Sequence, residues 1–208
     1  MASRPAGKVS PIELGVASLA LNDQTESGDL HVARLHSDGI LLAVIDGIGH
    51  GQSAAVAAKA AAAILERLPE EPLVSLAEHC HDELRTTRGV VISIASINFR
   101  RCVLTWLGIG NVQGVILRGP SGKALANDIL MLRAGVVGAQ LPILQTTTVP
   151  FCPGDTLIFA TDGIRSDFLE DLSLHGSSQK CADTILSRHS KSNDDALVLV
   201  ARTPGLTQ

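Results

Sequence analysis

The apolar residues of this chain come in blocks whose period changes along its length, and that change restricts the fold more than any other feature. Ile12 to Leu21, Leu30 to Leu35 and Ile40 to Ile45 are apolar and β-branched, and Ser37-Asp38-Gly39 makes a tight connection between the last two. The next block is helical. From Gln52 to Leu68 the residues Val56, Ala60, Ala63, Ile64 and Leu68 are predicted to share one face, alanine favours the helix, and Pro69 ends it. A second helix carries Leu73, Leu76, Ala77, Cys80 and Leu84 at helical spacing, with His79, Asp82 and Glu83 opposite. Strand-like runs then return at Val90 to Ile97, Phe99 to Trp106, Val112 to Arg118, Asp155 to Ala160 and Ala196 to Ala201. One helix breaks this series, with the stripe Cys181, Ala182, Ile185, Leu186 and His189. Strands grouped with strands, and helices with helices, predict a layered α+β fold in which helix pairs cover the outer faces of two stacked antiparallel sheets.

No repeat, linker or low-complexity tract divides the 208 residues, so a single domain over 1–208 is expected, with 1–10 and 203–208 as loose ends. The formal charge is -4 with no basic stripe, aromatics are 2%, and tyrosine is absent. Phosphate-neutralising charge and stacking platforms are therefore missing, which argues against nucleic acid as a partner. The N-terminus has no apolar core of a signal peptide, and the longest apolar stretch, Ala54 to Leu65, is interrupted by Lys59 and too short to span a bilayer. The expectation is a cytoplasmic protein without a membrane partner. Cys80, Cys102, Cys152 and Cys181 lack paired spacing and are predicted to be buried reduced thiols rather than a zinc or redox site.

Four places combine an acidic residue with the local geometry that a metal site needs. Asp29 follows Glu26-Ser27-Gly28; Asp46 ends the run Leu41 to Ile45 and precedes Gly47-Ile48-Gly49-His50-Gly51; Asp162 ends Leu157 to Thr161 and precedes Gly163; Asp194 and Asp195 precede Ala196 to Val200. A buried strand delivers a carboxylate to the sheet edge, and the following glycine frees the backbone to turn. Such a carboxylate is costly to bury alone, and hard cations such as Mg²⁺ or Mn²⁺ take oxygen ligands of this kind. Two such ions can acidify a water and clamp a phosphate. Taken only as dipeptides, Asp-Gly and Asp-Asp are equally turn residues, and Asp38-Gly39 is read as one. The glycines after Asp46 run into a helix start whose free N–H groups favour an anion, or simply form the strand-to-helix turn. His50 is the one histidine inside this motif, a candidate general acid or a polar residue at the helix start. His31, His36, His79, His81, His175 and His189 show no ligand spacing and are read as surface or interface residues.

The order of these segments resembles the metal-dependent protein phosphatases, the PPM or type 2C serine/threonine family, and especially their short bacterial branch. The matching pieces are Ser27-Gly28-Asp29, AVIDGIGHGQSAA at 43–55, GIGNVQGVIL at 108–117, LIFATDGI at 157–164 and NDDALVLV at 193–200. Together they span nearly the whole chain in the family's order. The resemblance implies a four-layer αββα sandwich with two Mn²⁺ or Mg²⁺ ions between the sheets. It implies Asp46 bridging both ions, the Gly47 carbonyl serving one, Asp162 and Asp194 binding the other, and Asp29 acting mainly through water. Asp194 is chosen over Asp195 because the family ligand is the first residue of that pair. The implied substrate is phosphoserine or phosphothreonine on a protein partner, with stressosome scaffold or regulator proteins of the bacterial general stress response as the expected partners and the enzyme a monomer or weak oligomer. Larger members carry a histidine where Ile48 stands and an N-terminal arginine with no match here, so the phosphate is expected to be held by metals and backbone. Rival readings are a non-catalytic phosphoprotein binder, a hydrolase of a small phosphorylated molecule, and a structural partner whose aspartates are turn residues.

Overall fold

The computed structural model describes residues 12–21, 24, 26–119, 128–170 and 172–204. The element order begins with strands β1 (Glu13–Leu19), β2 (Asp29–Leu35) and β3 (Gly39–Gly47), followed by helices α1 (Gln52–Arg67) and α2 (Leu73–Glu83). Strands β4 (Val90–Asn98), β5 (Val103–Ile109), β6 (Gln113–Leu117), β7 (Leu132–Arg133), β8 (Thr147–Pro150) and β9 (Thr156–Ala160) come next. A 3-10 turn (Ser166–Leu169), helix α3 (Ser178–His189) and strand β10 (Ala196–Arg202) complete the chain. Among the described residues these strands form two sheets. One has the order β1-β10-β9-β6; the other runs β2-β3-β4-β5-β7, with β8 also paired to β5. All pairings are antiparallel except that of β5 with β7.

Strand alternation sorts the side chains into three apolar layers. On β3, Leu41, Ala43 and Ile45 face α1 and α2, while Ile40, Leu42 and Val44 enter the layer between the sheets. On β9 and β10 the same rule sends Leu157, Phe159, Leu197 and Leu199 inward, and Ile158, Val198 and Val200 out toward α3. The result is the expected four-layer sandwich. Among the described residues its second outer layer consists of α3 and the 3-10 turn with Phe168, rather than two full helices.

The predicted face of α1 differs from the observed one. Val56 is 52% exposed, and the buried side is Ala54, Ala55, Ala57, Ala58, Ala61, Ile64 and Leu65. An alanine-rich helix is apolar almost all round, so periodicity alone does not select the side with room for close backbone approach. The cysteines also divide: Cys80 and Cys181 are buried, whereas Cys102 and Cys152 are exposed, and all are free. Of the expected loose ends, 1–10 and 205–208 lie outside the described residues, but Thr203 is not loose. Its N–H donates to the Asp155 carbonyl at 3.1 Å and its hydroxyl to the Cys152 carbonyl at 2.7 Å. His189, read as a surface or interface residue, is 7% exposed beneath Arg165 and Asp167. No helix among the described residues is long and apolar enough to cross a membrane.

Candidate metal centre

The parity that orders the core also places the carboxylates. Asp46 follows Ile40, Leu42 and Val44 on the face of β3 that looks into the layer between the sheets, at the point where β3 ends. Asp29 stands directly opposite it in the β2–β3 register. Across the seam, Thr161 follows Leu157 and Phe159 on the inward face of β9, and its hydroxyl donates to Asp29 Oδ2 at 2.7 Å. One hydrogen bond thus joins the two sheets at the site. Asp162 comes next on the same chain, and Asp194 and Asp195 lie just before β10, which pairs with β9.

Asp46, Gly47, Asp29, Asp162 and Asp194 therefore gather at one end of the seam, brought there by three strand ends and the loop before β10. Two glycines allow it. A Cβ on Gly47 would lie 2.3 Å from the Ala54 carbonyl oxygen, and one on Gly163 would lie 1.8 Å from that of Asp195. Neither has positive φ, so they are needed for close approach, not for the sharp turn that the sequence suggested. His50 sits exposed on the loop into α1 and makes no hydrogen bond to any of the aspartates.

The electrostatics record how close these acids are. Burial raises the Asp46 carboxyl from its ordinary range to about 8, and repulsion from Asp29, Asp162, Asp194 and Asp195 adds to the rise. Burial likewise raises Asp29 to about 7; the Thr161 hydrogen bond opposes this, and Asp195, Asp194 and Asp162 reinforce it. Asp194 is also raised, by burial and then by Asp162. Lys191 offsets part of this charge, lowering Asp194 and donating its Nζ to the Asp162 carbonyl at 2.5 Å.

The unfolded carboxyls titrate near 3.8, whereas the folded ones keep their protons to about 7 and 8. The folded state binds more protons in that window, so this contribution is complete below the unfolded value and is lost as pH rises through the folded values. In EDTA the thermal midpoint should fall by several degrees between about pH 5 and about pH 9. A midpoint that is flat or rises across that range, followed by calorimetry, would contradict the assignment.

Whether the donor set suits divalent cations can be tested on the same geometry. All the donors are oxygens, several are buried, and within the seam the carboxylates outnumber the cationic groups, which is the chemistry that Mg²⁺ and Mn²⁺ select. Among the described residues no three His, Cys, Asp or Glu side chains are already closed to direct coordination distance. That spacing does not exclude Mg²⁺, which keeps several waters and takes only one or two carboxylates directly. It also has a cause: Thr161 holds Asp29 and Asn111 Nδ2 donates to Asp162 Oδ2 at 2.7 Å, while like charge keeps the acids apart. The residues fit.

Several contributors were not evident in the sequence reading. Asn111 and Thr161 orient Asp162 and Asp29; both lie inside recognisable segments but carry no charge to draw notice. Asp195 plays a different part from Asp194. It is 4% exposed and accepts the N–H groups of Leu21 and Gly28, each at 2.6 Å, so it fastens the segment that carries Asp29. Asp194 is half-buried, and among the described residues its hydrogen-bond partner is the Asp195 N–H, at 2.9 Å.

The chain is 26% identical over 182 residues to the phosphoserine phosphatase RsbX of Bacillus subtilis, covering 86% of this chain and 89% of that one. A crystal structure of RsbX in complex with magnesium superimposes with a TM-score of 0.80 at 25% identity, covering 91% of this chain and 94% of that one. A chain of a structure described as the bacterial stressosome, a modular system adapted to control secondary messenger signalling, gives 0.83 at 28% identity, covering 93% and 100%. Residues 36–204 match the family described as Stage II sporulation protein E (SpoIIE), and the chain belongs to that family.

Proposed function

We propose that this protein is a metal-dependent protein serine/threonine phosphatase that removes phosphate from phosphoserine or phosphothreonine on a signalling partner. The observation that carries the reading is the cross-strand pair Asp29 and Asp46 at the end of the seam, joined by Asp162 and Asp194, with the Asp29 and Asp46 carboxyls raised to about 7 and 8. Asp46 and the Gly47 carbonyl, with Asp29, Asp162 and Asp194, are the groups we assign to holding two Mg²⁺ or Mn²⁺ ions. When bound, such ions acidify water to a nucleophile at neutral pH and neutralise phosphoryl oxygens. The chain supplies the rest. Thr161 and Asn111 fix the orientation of Asp29 and Asp162, Asp195 pins the strand entry at Gly28, and Lys191 limits repulsion around Asp162 and Asp194. His50 is the imidazole on the loop after Asp46, and we assign it the delivery of a proton to the leaving serine or threonine oxygen. The likeness to RsbX and to a stressosome chain supports a phosphorylated stressosome component as the partner, with feedback dephosphorylation as the role.

The substrate class is tested by competition. Release of phosphate from a serine-phosphorylated protein should depend on Mn²⁺ or Mg²⁺, stop in EDTA, and persist in excess nucleoside monophosphate. Preferential hydrolysis of the nucleotide would instead make this a small-molecule phosphatase.

A further inference from the structure

Arg88 stands beside the loop that leaves Asp46 and makes no hydrogen bond or ion pair with a described residue. It follows a turn whose backbone is fixed: Thr87 donates its N–H at 2.9 Å and its hydroxyl at 2.8 Å to the Leu84 carbonyl, and the Gly89 N–H donates to Thr87 Oγ1 at 3.0 Å. The Ile48 N–H donates to the Gly89 carbonyl at 3.1 Å, which extends the β3–β4 ladder one step beyond the Gly47–Val90 pair. Arg88 is thereby set against the loop that leaves Asp46. Its Nη1 lies 2.7 Å from where a Cβ on Gly49 would be. The guanidinium is exposed and borders an open cleft of about 500 Å³, which it lines with Gln52, Ser53, Val56, Thr86 and Thr87.

It differs from Lys191, another cation among the described residues at the rim. Lys191 is engaged with the Asp162 carbonyl and faces Asp194, whereas Arg88 forms no hydrogen bond or ion pair with a described residue. The leading charges acting on Asp29, Asp46 and Asp194 are the other carboxylates and, for Asp194, also Lys191. Among the described residues nothing engages the guanidinium donors of Arg88. Gly49 is three residues from Asp46, a span of at most about 11 Å. A guanidinium presents a planar fork that matches two phosphoryl oxygens, and a phosphate monoester brings negative charge to a cation that no described carboxylate pairs.

We propose that Arg88 binds the phosphoryl group of the substrate as it is hydrolysed at the Asp46 site, an assignment that rests on the phosphatase reading above. The phosphate is then held by a side chain as well as by metals and backbone, which changes the expectation from the sequence.

The test is hydrolysis of p-nitrophenyl phosphate, which carries no protein determinants, with saturating Mn²⁺ and with inorganic phosphate as inhibitor. Arg88→Ala should lose about 10²-fold in kcat/KM and should be inhibited less by phosphate than the wild type. Arg88→Lys should recover part of the loss, because the ammonium keeps the charge without the fork. The thermal midpoint of both variants should match the wild type, since the side chain is exposed and bonds no described residue. Wild-type kcat/KM and phosphate inhibition in Arg88→Ala would overturn the assignment. A defect confined to a phosphorylated protein substrate would overturn it too, and would place Arg88 against the partner's surface. No metal-dependent turnover by the wild type would sink the phosphatase reading itself, and this assignment with it.

Discussion

Asp46→Asn is expected to abolish metal-dependent turnover while leaving the fold intact, and in EDTA near pH 8 to be at least as stable as the wild type. The two effects have one cause. Asp46 is held among four other carboxylates in a desolvated position, an arrangement that raises its carboxyl to about 8 and makes the ionised form costly without a cation. Asparagine has the same shape and no charge, so it relieves Asp29 as well as itself. It also removes the oxygen charge that two cations would share. Electrostatic stabilisation by bound metal is worth several kcal/mol, and each 1.36 kcal/mol is tenfold in rate, so a loss of about 10³-fold or more is expected. Calorimetric titration with Mn²⁺ should show binding lost in the variant. A variant that hydrolyses substrate at the wild-type rate, or that binds Mn²⁺ normally, would remove Asp46 from the centre.

The second large effect is structural and lies away from the site. Arg118, at the end of β6, donates Nε to Asp128 Oδ2 at 2.8 Å, Nη2 to Asp128 Oδ1, and Nη1 to both Asp155 Oδ2 at 2.8 Å and the Pro150 carbonyl at 2.7 Å. Asp128 is 1% exposed and Asp155 is 5% exposed. The guanidinium is held well above its ordinary range, first by its hydrogen bonds to Asp128. Arg118→Leu would leave two buried carboxylates with their main cation gone, and breaking a buried pair in this way costs about 3–5 kcal/mol. For a chain of this size that corresponds to a fall of roughly 6–20 °C in thermal midpoint. Combining it with Asp128→Asn should restore part of the loss by neutralising one of the stranded acids. A midpoint within about 2 °C of wild type for Arg118→Leu would show that groups other than the arginine satisfy these carboxylates.

Much of this architecture could be read from the order of residues because strand alternation is a strong constraint. The runs Leu41 to Ile45 and Leu157 to Ala160 specify two buried strands, and the acids that end them emerge where the sheets meet. What escaped the reading had physical reasons. The edge strands β7 and β8 are two and four residues long, too short for periodicity to register. β5 begins at Val103 rather than Phe99 because the chain turns through Cys102, whose φ is 52°. The buried face of α1 is chosen by how closely its alanines approach the sheet, as at Ala54 against Gly47, and not by hydrophobicity. The division of work between Asp194 and Asp195 depends on two backbone N–H groups at Leu21 and Gly28, far away in sequence. The resemblance selected Asp194, and the hydrogen bonds supply a reason for that choice.

The most direct measurement is the initial rate of p-nitrophenyl phosphate hydrolysis by the wild-type protein in Mn²⁺, in Mg²⁺ and in EDTA, at fixed pH near 8. Turnover is expected to saturate with the metal, vanish in EDTA, and return when Mn²⁺ is added back. A rate that is the same in EDTA as in either metal would contradict that expectation.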